Sequence, residues 1–313
     1  MAAMKSDLLL VREFFTRLWA EFQVRPAAQP AAPLVQIDYR DRISVATWLV
    51  VFGLGISLLY TLPTAVISLQ VLGSPVSIEL TETLLAALFL ALLTAAGTES
   101  VIRTHPRLAV TAHGSVGRTW PYWTLPMALV IIAVYVLPIT PTGLVRVIAL
   151  LVSGGLLGLA FFSLYATIER GQAGFRRARF VLDALAYGSA LILFLFVYQT
   201  RTRSLLSGTL IAMTAILLAV EILRSTTTQP QTMLTYGLIV GMILGQVTWA
   251  LNYWSSLNKL TGGLLLLLIF YVLVGIAQQG LQNRLNRRVL VEFAVFAVVA
   301  LLLIAVVGPG FGT

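Results

Sequence analysis

The sequence has no cysteine, two histidines and only twelve acidic residues among 313. The first absence excludes disulfides, thiolate nucleophiles, cysteine-held metals and iron–sulfur clusters. The histidines, His105 and His113, share one segment with Arg103, Arg107 and Arg118, and Glu99 is the only nearby carboxylate. That spacing makes a poor metal site. Neither histidine falls in an apolar run, which excludes haem held by two histidines inside a membrane. The segment reads as a solvated basic loop.

Catalytic motifs are also missing. There is no His-Glu-x-x-His, no Gly-x-Ser-x-Gly and no Gly-x-x-x-x-Gly-Lys-Ser/Thr. The glycines from Gly308 to Gly312 resemble a phosphate loop only superficially, because no helix follows to supply free N–H groups. They read as a short tail. No catalytic residue, metal ligand or cofactor is assigned.

Charge is scarce as well, at 11% against about 25% in a soluble domain. Hydrophobic residues make up 58% and the mean hydropathy is +0.92. Too few polar residues remain to cover a water-soluble particle, whereas a bilayer would solvate the apolar outer faces. The expected fold is an all-α, polytopic transmembrane helix bundle in the cell membrane, in contact with the lipid bilayer. Runs of about 20 apolar residues mark spanning helices. Nine qualify: 43–62, 78–96, 122–137, 144–168, 181–198, 205–223, 234–251, 260–276 and 289–307. The third is short and carries Pro126, and the first continues past Pro63 to about Leu72, as a kink or an interfacial segment.

The net charge of +9 comes from basic residues in short loops, where they act as topology signals and not as a nucleic-acid surface. With an inner N-terminus, every Lys and Arg falls on the inner side except Arg146, Arg201, Arg203 and Lys259. This one-sidedness obeys the positive-inside rule, so the N-terminus is expected in the cytoplasm. Aromatic clusters at Trp120, Tyr122 and Trp123, and at Trp249, Tyr253 and Trp254, fit the two interfaces.

The remaining domains are expected from local pattern. Residues 1–24 form an amphipathic N-terminal helix, with Leu8, Val11, Phe15, Leu18 and Phe22 as its apolar stripe. Its polar face is mixed in sign, which favours docking on protein over lying on anionic lipid. Residues 25–42 are a linker stiffened by Pro26, Pro30 and Pro33. No secretory signal is expected here, because a charged segment and this linker precede the first apolar run. The spanning domain covers 43–307, followed by the tail at 308–313.

Polar residues in the apolar runs are few. Asp183, Glu221 and Glu292 lie near inner helix ends, within reach of Arg179, Arg224 and Arg288. Glu79 and Glu82 are expected one turn apart at the outer start of the second helix, in an outer polar cluster with Arg146, Arg201 and Arg203. At mid-depth only Ser57, Ser153, Thr209, Thr214, Gln246 and Thr248 stand out, with no charge among them. Coupled carriers place charge or broken helices there. Gly237, Gly241 and Gly245 form a helix-packing face, and Gly154, Gly155 and Gly158 cluster on the fourth helix. The third to eighth helices also form three hairpins of similar length.

These features point first to a non-enzymatic scaffold, assembly or accessory subunit, with a membrane-protein partner or self-association. A carrier for a small or amphiphilic solute, or for a lipid, is the alternative; a cavity lined by Gln246, Thr248 or Asn252 would favour it. A membrane-embedded enzyme built on Glu79 and Glu82 is a third.

Overall fold

The computed structural model describes residues 39–60, 65–71, 74–105, 119–169, 174–200, 204–253 and 258–306. The expected N-terminal helix, its linker and the glycine tail lie outside the described residues.

Nine α-helices carry the described fold: α1 (Tyr39–Leu59), α2 (Glu82–Ile102), α3 (Thr124–Val136), α4 (Gly143–Ala166), α5 (Phe175–Thr200), α6 (Ser204–Leu223), α7 (Pro230–Asn252), α8 (Lys259–Leu281) and α9 (Arg287–Val306). Eight are long and apolar enough to cross a membrane, counting α3 with the 3-10 turns at Trp120–Tyr122 and Leu137–Ile139. The described apolar part of α6, Ser207–Leu223, is shorter. Pro126 sits in the first turn of α3, where a missing N–H costs nothing. Thr142 and Asn258 cap α4 and α8 through side-chain oxygens that accept from Val145 and Leu260 N–H.

One element departs from the all-helical expectation. Past Pro63 the chain forms not a kinked helix but an antiparallel hairpin, β1 (Ala65–Val71) and β2 (Ser74–Leu80). The register sets Ile67 opposite Ile78 and Leu69 opposite Val76, with Ser68 opposite Ser77 between them. This period-two alternation favours strand over helix. The second helix therefore starts at Glu82, with Thr81 as its N-cap. Glu79 belongs to β2, so the expected one-turn spacing of Glu79 and Glu82 on a helix does not exist.

Helices α1, α3, α5, α7 and α9 begin, and α2, α4, α6 and α8 end, at one end of the bundle, here termed the basic end. Cross-helix contacts fix this alignment. Tyr39 stacks on Tyr165 at 4.4 Å, Arg42 donates to the Ser100 carbonyl at 3.5 Å, and Gln278 donates to the Ile222 carbonyl at 3.5 Å. At the far end Asn252 donates to the Ser207 hydroxyl at 3.0 Å.

Two apolar clusters fill the interior. One joins α3 to α8 around Leu193, Phe194, Ile211, Leu244, Leu266 and Phe270. The other joins α1 to α4 around Val50, Leu54, Leu90, Val134, Leu157 and Phe161. Helix α3 contributes to both. Helix α9 contributes no buried residue and meets α8 where the Phe293 ring lies over Gly275. Several polar side chains inside the bundle are satisfied on their own helices. Thr214 and Thr248 donate to the Leu210 and Leu244 carbonyls at 2.6 and 2.7 Å, and Ser57 and Ser153 to those of Leu54 and Ala149 at 2.8 Å.

Candidate functional site

The expected outer cluster is not assembled. Glu79 lies in β2 and Glu82 is the first residue of α2. The Arg146 guanidinium donates to the Thr140 hydroxyl and carbonyl, each at 3.4 Å, and so braces its own loop. Among the described residues no ion pair joins Glu82 or Arg146 to another charged side chain. Arg201 and Arg203 lie outside the described residues.

The glycine face lies against α6 of the same chain. A Cβ on Gly237 would meet Val220 Cγ2 at 2.8 Å, one on Gly241 would meet the Ala212 carbonyl oxygen at 2.7 Å, and one on Gly245 would meet Ala212 Cβ at 3.2 Å. A Cβ on Gly208 would in turn meet the Gly245 carbonyl oxygen at 3.4 Å. Lipid removes most of the hydrophobic drive for helix association, so such backbone approach is what holds two helices together.

Charge gathers at the basic end. Glu221, in the last turn of α6, is fully buried and sits between two guanidinium groups. Arg179 of α5 donates to it at 3.1 Å, and Arg224 donates twice, at 2.8 and 3.0 Å. Arg179 also donates to Asp183 at 2.6 Å and to the Glu221 and Ile222 carbonyls at 3.1 Å each. It thereby caps α6, whose last carbonyls have no helical partner and carry the negative end of the helix dipole. Arg224 reaches α4 through Thr167 at 3.2 Å and lies 4.2 Å over the Tyr122 ring. Burial alone would lower the Arg224 pKa, but the adjoining Glu221 carboxylate and the Tyr122 side chain together outweigh it and hold the group above its ordinary value. A buried carboxylate is tolerable only when paired in this way.

The expected pairings of Asp183, Glu221 and Glu292 with Arg179, Arg224 and Arg288 are all present. The bond from Arg179 across to Glu221 joins two helices and follows from no local spacing. A second cluster was not anticipated at all. Glu99 of α2 accepts from Arg103 at 2.6 Å, Thr119 at 3.0 Å and the Trp123 indole at 2.8 Å. The i,i+4 spacing of Glu99 and Arg103 was its only sequence signal. His105 is not in a solvated loop as expected. It is buried, edge-on to the Tyr165 ring at 5.1 Å, because the start of α1 and the end of α4 close over it with their tyrosines.

Beside the Arg–Glu–Arg cluster a cavity of about 1130 Å³ opens at the basic end. Trp120, Tyr122, Thr167, Arg179, Arg224 and Gln231 are among its walls. Gln246, Thr248 and Asn252 are not. The arrangement can bind a polar or amphiphilic group at the mouth of the bundle.

No curated protein and no solved structure matches the chain. Residues 62–307, from the hairpin through α9, match the family described as Protein of unknown function (DUF5656), and the chain belongs to that family of membrane-spanning helical proteins.

Proposed function

We propose that the chain is a non-enzymatic integral membrane component, a scaffold or accessory subunit of a larger complex, set in the cell membrane with its N-terminus and basic end in the cytoplasm. The observation that carries this reading is the division of the interior. At mid-depth the bundle is packed with Leu, Phe and Ala side chains. Among the described residues the buried ion pairs lie at the basic end, where they tie α4, α5 and α6 together. Such an interior supports a rigid body that presents a surface, and lacks the mid-depth charge of a coupled carrier. Affinity purification of the full chain in mild detergent tests it. A stoichiometric partner or a stable homo-oligomer is expected. Recovery of a lone monomer from native membranes would overturn it.

The carrier reading is favoured by one feature, the cavity at the basic end. A Thr248→Cys variant separates the two readings. Labelling of that cysteine by water-soluble maleimides from both sides of the membrane supports a carrier, while protection from both sides supports the scaffold.

A further inference from the structure

A second recess lies on the lipid-facing side of the bundle, between α1 and α4, with a volume of about 490 Å³. Its floor is Gly154, Gly155 and Gly158, and a Cβ on Gly155 would meet nothing within 4 Å. Trp48 and Phe162 stand at its sides, 62% and 49% exposed. The recess is apolar over most of its length, but α1 adds Arg40, Ser44 and Thr47 to one wall. Thr47 Oγ1 is buried and has no hydrogen-bond partner among the described residues, unlike Thr94, Thr98, Thr214 and Thr248, which bond back along their helices. That hydroxyl is enclosed in the packing seam beside Gly158, so the polar groups of α1 that open on the recess are Arg40 and Ser44.

Spacing along α1 identifies the occupant. At 1.5 Å per residue Arg40 stands about 6 Å above Ser44 and about 10 Å above Thr47. Arg40 is in the first turn of α1, at the basic end, where phosphate groups of the bilayer lie. A phospholipid presents an anionic phosphate, then ester oxygens, then hydrocarbon. The wall presents a guanidinium, then the Ser44 hydroxyl, then Val51 and Leu151. We propose that the groove between α1 and α4 holds one acyl chain of an anionic phospholipid, with its phosphate at Arg40 and its ester oxygens level with Ser44. Charge complementarity and the order of polar groups select this occupant over a partner helix.

The test is native mass spectrometry of the full chain in mild detergent, titrated in separate arms with phosphatidylglycerol, phosphatidylcholine and inorganic phosphate. One tight phosphatidylglycerol adduct is expected, several-fold stronger than the phosphatidylcholine one. Gly155→Leu fills the recess and should weaken the adduct at least tenfold with little change in melting temperature. Arg40→Gln should remove the preference between the two lipids. Unchanged binding in folded Gly155→Leu would overturn the proposal, as would displacement of the lipid by inorganic phosphate. The parent chain gives an independent readout: phosphatidylglycerol brominated on its acyl chain should quench a fluorescence component that is absent from Trp48→Phe. Equal quenching of the two chains would also overturn it.

Discussion

Glu221 has no access to solvent, and its two arginine partners are nearly as enclosed. Replacing it with Ala strands two buried guanidinium groups. We expect Glu221→Ala to cost about 3–5 kcal/mol, read as a lowered unfolding midpoint in detergent. Exchanging Arg179, Glu221 and Arg224 together for Met, with Asp183→Asn, should recover most of that loss, because no charge of the cluster is then left unpaired. Thr248 makes a contrast. Its hydroxyl bonds to Leu244 in its own helix, so Thr248→Val should change stability by less than about 1 kcal/mol. The local pairs in these networks were legible in the sequence, because residues three or four apart on a helix are neighbours. Arg179 to Glu221, Arg224 to Thr167 and Trp123 to Glu99 were not, since each joins residues on different elements.

Among the elements, the joint between α6 and α7 is the closest-packed pair in the bundle. Gly241 sits at its tightest point, against Ile216 and the Ala212 carbonyl. Gly241→Leu should destabilise the chain by about 1–3 kcal/mol through overpacking, whereas Gly155→Ala should be neutral because its Cβ enters open space. Thermal unfolding of the two variants side by side checks the contrast. The glycine spacing made this face visible in the sequence, though not which helix it meets. The β-hairpin was hidden for another reason. Hydropathy is read over windows of about 19 residues, which average away the alternation of two seven-residue strands.

For the whole molecule, the uneven distribution of arginine predicts an orientation. The chain has no cysteine, so single cysteines can be introduced without background. Arg177→Cys, at the basic end, should be protected from impermeant maleimides in intact cells, and Asn258→Cys, at the far end, should be labelled. The reverse pattern would refute the cytoplasmic assignment of the basic end. The places of the apolar helices were readable because apolar length is a property of a single segment, although the described apolar part of α6 is shorter than the other eight. Neighbour relations were not. The closest contacts run between α2 and α3, α5 and α8, and α6 and α7, and not within the three hairpins that the sequence suggested.

Helix α3 is shared by both apolar clusters. A protein that works by rocking two halves about a hinge needs a seam along which they can part. Here a common strut runs through both, and any such swing would tear its packing from one side. Motion on the scale of a functional cycle is therefore expected at the perimeter, where α9 buries no residue and rests on α8 through Phe293 and Phe296.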